Sequence, residues 1–314
     1  ELYDELNEYN AILRNSLKSH VTLINSIIKY VMKIKGKQFR PLLCILSAKL
    51  DNKANHMTYL SAATVEMLHV ATLLHDDVVD GANVRRSWPT VNSIWKSKLP
   101  ILIGDYMFSK SLSNIVKLNN IESINILAKI SDRLSEGEIL QIENSINKEM
   151  SEDVYFKMIS DKTASLISAS CKLGYMSVSE DNKKNNIERF GEYLGIAYQL
   201  KDDLFDVLGK IDKIGKPANL DLKKNILTLP YIHAINSLDG NKKRTLINKL
   251  KFHSKRSDHR EVRAIIDDFN GIDYTNNKID EFSKKAIKEL SVFPDSKYRQ
   301  LLIDLIIFNQ SREY

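Results

Sequence analysis

The chain has 314 residues, 43% of them hydrophobic, with only 11 glycines, 6 prolines and a formal net charge of +6. That apolar share suffices for a sizeable core, and so few breakers favour long uninterrupted elements. The modest positive excess comes with no groove-reading motif or stacking array, which argues against nucleic acid, and no apolar run approaches the roughly 18 residues of a membrane span.

Leu2, Leu6, Ile12, Leu13, Leu17, Val21, Leu23, Ile24, Ile27 and Ile28 recur at helical spacing, predicting one or two amphipathic helices between Glu1 and about Met32. A basic turn follows, Lys35-Gly36-Lys37-Gln38-Phe39-Arg40-Pro41, before a helix from Leu42 to about Leu50. Pro41 suits the first turn of that helix, where its missing N–H costs nothing. Cations around a helix start suit an anion site, although a solvated basic turn is the commoner meaning of such a stretch alone. Cys44, like Cys171 later, has no metal-ligand spacing, and the pair reads as two reduced thiols in a cytoplasmic protein.

Residues from about Thr58 to Asp80 predict a buried helix, rich in Ala, Leu, Met and Val, that ends in Thr72-Leu73-Leu74-His75-Asp76-Asp77-Val78-Val79-Asp80. Positions four apart share a helix face, so Asp76 and Asp80 point the same way. His69 lies two turns before Asp76, either as a hydrogen-bonded core residue or as a ligand. Gly81 closes the helix, and Arg85-Arg86 follow in a loop. They are a plain salt-bridge pair or, with their planar forks, part of a diphosphate site. Further helices are expected over about 92–119, 121–147 and 151–174, with Asp161-Lys162-Thr163 inside the third. After the polar loop Asp181–Asn186, a second acidic helix over about 187–209 ends in Asp202-Asp203-Leu204-Phe205-Asp206, which repeats the same spacing. Gly215-Lys216-Pro217 is another basic turn, and from Leu227 to Tyr314 helical patterns alternate with charged loops. No segment sustains a period of two. The expected architecture is all-α, about ten to thirteen helices in a single domain over 1–314.

Carboxylates at a helix C-terminus sit against the negative end of its dipole, a conflict that bound cations resolve. Magnesium takes oxygen ligands, keeps several waters, and is held by one or two carboxylates plus substrate phosphates. Two opposed aspartate clamps with Lys and Arg at their rims therefore describe a diphosphate trap. In an apolar helical bundle the group attached to that diphosphate would be greasy. Metal ions and fixed cations stabilise the charge on a departing diphosphate, and a dry pocket protects an allylic cation from water.

Two DDxxD motifs, with Lys37 and Arg40 before the first, Arg85-Arg86 after it, Lys162-Thr163 between and Gln199 before the second, closely resemble the trans-prenyltransferases, or polyprenyl diphosphate synthases, of the isoprenoid synthase fold. The resemblance is strongest to the long-chain, octaprenyl or solanesyl type. It spans about 35–230 by motif and continues more loosely through Phe293-Pro294-Asp295-Ser296. It implies a single large helical bundle around a central apolar cavity, in which about three Mg2+ ions are bound by Asp76, Asp77 and Asp80 and by Asp202, Asp203 and Asp206. By the same resemblance Lys37, Arg40, His69 and Arg86 hold the diphosphate of isopentenyl diphosphate, and Arg85, Lys162, Thr163, Gln199 and Lys216 hold the allylic diphosphate. Asp76, Asp80, Asp202 and Lys162 would carry the catalysis, and the partner implied is a second copy of the chain. Four positions depart from the family pattern. Lys35 and Gln38 replace a glycine and an arginine of GGKRxRP; Ser87 replaces the glycine of RRG; Ile226 stands where a lysine is usual, with Lys223 or Lys224 in the same loop as substitutes.

A product growing from the first clamp runs down its own helix, so Ala71 and Thr72, with Leu68 and Val65 below, would form its floor. In the family, bulky aromatics at the first two positions stop growth and small residues let it continue, each further turn admitting roughly 5 Å. The expectation is an all-trans product of six or more isoprene units for a quinone side chain, grown from farnesyl diphosphate, with transient membrane contact at release. Met107 and Phe108 are candidates for the final stop, unless Ala71 merely marks where two helices touch. The alternatives are a shorter-chain synthase of the farnesyl or geranylgeranyl class and a non-catalytic subunit of a heteromeric enzyme.

Overall fold

A computed structural model describes residues 2–34, 36–96, 98–147, 151–208, 226–252, 264 and 266–312. In chain order these form α1 (Leu2–Ser16), α2 (Thr22–Lys33), α3 (Phe39–Ala48), α4 (His56–Val79), β1 (Val84–Arg85), β2 (Trp88–Pro89), α5 (Val91–Trp95), α6 (Lys98–Lys117), α7 (Ile121–Asn147), α8 (Glu152–Ile159), a π turn (Ser160–Ala164), α9 (Ser165–Met176), α10 (Lys184–Leu208), α11 (Leu229–Asn236), α12 (Gly240–Phe252), α13 (Gly271–Leu290) and α14 (Lys297–Ser311). The all-α expectation holds. The fourteen α-helical segments among the described residues exceed the expected range by one, because two stretches expected as single helices are divided. The segment at 92–119 breaks at Lys96, whose φ of 64° leaves the helical region, and the segment at 151–174 is interrupted by the π turn.

The chain divides into two compact units, the first from residues 1–129, 166–188 and 292–300, the second from 130–165, 189–291 and 301–314. In the first unit α4 is the central helix, packed against α1, α3 and most closely α6. It starts at a complete capping box: the Asn55 side chain accepts from the backbone N–H of Met57 and Thr58, and the Thr58 hydroxyl accepts from the Asn55 N–H. Its apolar side chains Ala63, Met67, Ala71 and Leu74 join Tyr9, Leu13, Ile45, Ile103 and Met107 in one core. Each large aliphatic side chain so buried contributes about 1.5–3 kcal/mol. Contrary to the expectation that no stretch reaches membrane-span length, α4 has an 18-residue window of mean hydropathy 1.2. That window is 61% buried inside the protein, which is how a core helix behaves.

Between α4 and α5 the chain makes a two-residue antiparallel ladder, Val84 opposite Pro89 and Arg85 opposite Trp88. The expected loop is therefore a hairpin, and Arg86 and Ser87 turn it with φ of 50° and 65°, the left-handed values of a type I′ turn. The Tyr30 hydroxyl donates to the Pro89 carbonyl at 2.7 Å, and its ring meets Trp88 and Trp95 edge-on. The second unit has its own core, in which Tyr155 and Ile159 of α8, Leu200 and Leu204 of α10, Tyr231 and Ile232 of α11 and Ile279 of α13 pack together.

Candidate active site

The first acidic set closes α4. The Asp80 N–H donates to the Asp76 carbonyl at 2.8 Å as the last helical bond, and Gly81, with φ of 61°, turns the chain away. Asp76 is half-buried, Asp80 is exposed and Asp77 is buried. Arg85 leaves the hairpin to donate its Nε–H to Asp77 Oδ1 at 2.9 Å. Both readings of the arginine pair thus meet in one residue, which makes a salt bridge beside the carboxylates.

Arg40 and His69 are joined: Arg40 Nη1 lies 3.0 Å from His69 Nε2. A guanidinium can only donate, so Nε2 accepts and the ring proton sits on Nδ1. Burial first, then the positive charges of Arg40, Arg86 and Arg85, hold the His69 pKa well below 6.5, and the ring is neutral. Arg86 lies along the backbone of the basic turn, with Nη1 3.4 Å from the Ile34 carbonyl. A Cβ placed on Gly36 would come within 2.6 Å of that same nitrogen, so the guanidinium lies directly against the Gly36 backbone. One cavity is lined by Gly36, His69, Arg85 and Arg86 together with Tyr9 and Glu66. Lys37 is exposed. Gln38, at the position where the family pattern has an arginine, also lines this cavity and donates Nε2–H to Asn10 Oδ1 of α1 at 2.8 Å. Glu66 belongs to this cluster and escaped the sequence reading, although it lies one turn before His69. Burial raises its pKa, while Arg40 and Arg86 oppose the rise.

The second acidic set is wired to the residues expected to grip the allylic diphosphate. Thr163 Oγ1–H donates to Gln199 Oε1 at 2.8 Å, and Gln199 Nε2–H donates to Asp203 Oδ1 at 2.6 Å. Asp203 is 6% exposed and also accepts the Tyr155 hydroxyl at 2.5 Å. Burial lifts its pKa to about 6; these two hydrogen bonds oppose the rise, and the charges of Asp202 and Asp206 add to it. Lys162 pairs with Glu138 and lies 3.1 Å from Gln141 Oε1, both on α7. Asp202 Oδ1 accepts from Arg312 Nη2 at 2.8 Å, and that guanidinium rests on the Tyr198 and Phe205 rings, 4.5 and 5.3 Å from their centroids. Tyr155, Glu138, Gln141 and Arg312 carried no motif that would have singled them out. Lys216, Lys223 and Lys224 lie outside the described residues; Ile226 is half-buried just before α11.

Among the described residues no three His, Cys, Asp or Glu side chains form a ready-made metal cage. The donors present are carboxylate oxygens without histidine or cysteine, a set that suits a hard cation completed by water and phosphate oxygens.

At the expected product floor, Leu68 and Ala71 are buried in the first unit's core, which also contains Met107, with Phe108 packed against it. The Thr72 hydroxyl donates to the His69 carbonyl at 2.8 Å, back along its own helix.

The family model for polyprenyl synthetase matches residues 21–269. An all-trans-nonaprenyl-diphosphate synthase (geranyl-diphosphate specific) from Rhodobacter capsulatus is 32% identical over 295 residues, 93% of this chain and 90% of that protein. The crystal structure of a decaprenyl diphosphate synthase from Rhodobacter capsulatus superposes with a TM-score of 0.93 at 33% identity, covering 99% and 98% of the two chains. A polyprenyl synthase from Caulobacter crescentus, complexed with calcium and isoprenyl diphosphate, superposes with a TM-score of 0.90 at 31% identity, covering 99% and 95%.

Proposed function

The chain belongs to the polyprenyl synthetase family, and on that premise we propose that it condenses isopentenyl diphosphate head-to-tail onto an allylic diphosphate, farnesyl diphosphate first, to give an all-trans product of six or more isoprene units. It is a prenyltransferase, a long-chain polyprenyl diphosphate synthase. The observation that carries the residue-level reading is that each acidic motif is hydrogen-bonded to a candidate diphosphate ligand. Arg85 holds Asp77, and Thr163 reaches Asp203 through Gln199.

In this reading Lys37, Arg40, His69 and Arg86 hold the isopentenyl diphosphate, and Arg85, Lys162, Thr163, Gln199 and Lys216 hold the allylic one. Asp76, Asp77, Asp80, Asp202, Asp203 and Asp206 are the ligands for Mg2+, about three ions, which neutralise diphosphate charge when bound. The neutral His69 ring lets Arg40 keep its full charge for phosphate without adding a further cation to the cluster. Lys162 supplies charge where the leaving group develops it. The allylic C1–O bond breaks with its electron pair going to diphosphate, the isopentenyl double bond attacks C1, and the departing diphosphate takes the proton lost. The apolar side chains that continue along α4 below Asp76 exclude water from the cation. Ala71 and Thr72, with Leu68 below, leave the product room to grow.

The chain acts as a homodimer in this proposal, on the support of an apolar stripe of Ile101, Leu102, Leu112 and Val116, 42–61% exposed along α6. A cytoplasmic location agrees with the buried, unpaired thiols of Cys44 and Cys171, and the product would be handed over by transient membrane contact.

The test is incubation of the purified chain with magnesium, farnesyl diphosphate and isopentenyl diphosphate, with product lengths read by chromatography. A ladder ending at six or more units supports the reading. A stop at three or four units refutes the open floor, and binding of both diphosphates without turnover assigns the chain to a heteromeric enzyme.

A further inference from the structure

The π turn at Ser160–Ala164 carries Lys162 and Thr163, and something must hold it. A π turn has poorer hydrogen-bond geometry than the α-helix around it and persists only where the surroundings impose it. Here α7 and α10 close on it from both sides. A Cβ on Gly137 of α7 would lie 3.0 Å from the Lys162 backbone nitrogen, and one on Gly195 of α10 would lie 2.5 Å from the Ala164 Cα.

Arg133, one turn before Gly137, reaches across this junction. Its Nε–H donates to Asp161 Oδ1 at 2.7 Å, and Nη2–H donates to Ser160 Oγ at 2.7 Å and to Glu192 Oε1 of α10 at 2.8 Å. The Ser160 hydroxyl donates to Glu192 as well, and Lys157 Nζ takes the other Asp161 oxygen at 2.7 Å. The first two residues of the turn are therefore fastened by one guanidinium to α7 and α10, while the next two present Lys162 and Thr163. Asp161 has a cation on each oxygen, while the adjacent Lys162 ammonium pairs with Glu138 of α7.

We propose that Arg133 is a positioning residue for the allylic diphosphate: by fixing the π turn against α7 and α10, it sets Lys162 beside Glu138 and Gln141 and Thr163 in register with Gln199 and Asp203. The inference rests on the reading of Lys162 and Thr163 as allylic-site residues. Nothing in the acidic or basic motifs marks Arg133, which lies 28 residues before Asp161.

The experiment compares steady-state kinetics of the full chain carrying Arg133→Gln, Lys162→Ala or both. If the inference holds, Arg133→Gln raises KM for farnesyl diphosphate about tenfold, the effect of one misplaced charge-assisted hydrogen bond, and leaves KM for isopentenyl diphosphate within about twofold. The double variant then shows a combined rise smaller than the product of the two single effects, because Arg133 acts partly through Lys162 and partly through Thr163; fully multiplicative effects overturn the proposal. A lower Tm with both KM values unchanged makes Arg133 merely structural and overturns the proposal. An unchanged farnesyl KM in Lys162→Ala refutes the allylic-site reading itself, a failure distinct from that of Arg133. Should Arg133→Gln not fold, Arg133→Lys keeps the charge but cannot bridge Ser160, Asp161 and Glu192 together, and the same split decides.

Discussion

Asp77 and Arg85 are held together at 2.9 Å, the carboxylate buried in α4 and the guanidinium arriving from a hairpin eight residues on. Removing the arginine therefore takes a counter-charge away from a buried carboxylate. Breaking a fully buried pair costs about 3–5 kcal/mol, and Arg85, with its side chain 34% exposed, will cost less, about 1–2 kcal/mol. Arg85→Ala should destabilise the protein more than Asp77→Asn, which leaves no buried charge. Urea denaturation of the two variants decides the order, and equal losses would mean that Asp77 is satisfied by its other neighbours.

His69 predicts a pH dependence of stability. Its folded pKa lies well below 6.5, so in acid the unfolded chain takes up a proton that the native chain refuses. Stability is complete above about pH 6.5 and falls as pH drops from there toward the depressed native value, with a slope approaching about 1.4 kcal/mol per pH unit. His69→Gln removes this component. Denaturation midpoints of parent and variant should converge as pH falls from 7 to 5, and parallel curves would show that the ring is charged in the native state.

Ser87 sits at φ of 65°, where an L-residue is strained and glycine is not. Ser87→Gly relieves that strain but frees the unfolded chain, so the net gain should be about 0.5–1 kcal/mol. A raised Tm with unchanged turnover is expected. A fall in Tm would place the Ser87 hydroxyl among the hairpin's supports.

Ala71 is 1% exposed in the core that also holds Met107 of α6. Ala71→Phe should shift the product ladder toward three or four isoprene units, with overpacking costing about 1–3 kcal/mol of stability. Chromatography of products at a temperature where the variant remains folded gives the answer. An unshifted ladder would make Ala71 a helix contact and nothing more.

The helices and the acidic motifs were legible because helical periodicity and i, i+4 spacing are local properties of sequence. The hairpin was not, since Val84-Arg85-Arg86-Ser87-Trp88-Pro89 lacks the Asn-Gly or Asp-Gly turn that announces one. Nor was the π turn, because no glycine or proline interrupts 151–173 and the distortion is imposed by α7 and α10. That Gln38, standing where the family pattern has an arginine, would bond to α1 through Asn10 was equally illegible, because the two residues are 28 positions apart. Tyr155 and Arg312 are invisible to motif reading for one reason: each meets the second acidic set across a separation, 48 and 110 residues, that only the folded chain closes.

The Arg312–Asp202 bond also has a temporal side. At about 5–20 residues per second, a ribosome adds the arginine roughly 5–20 s after the aspartate. For that interval the nascent α10 carries its acidic end without this counter-charge. The second acidic set reaches its final electrostatic state only once position 312 has been made.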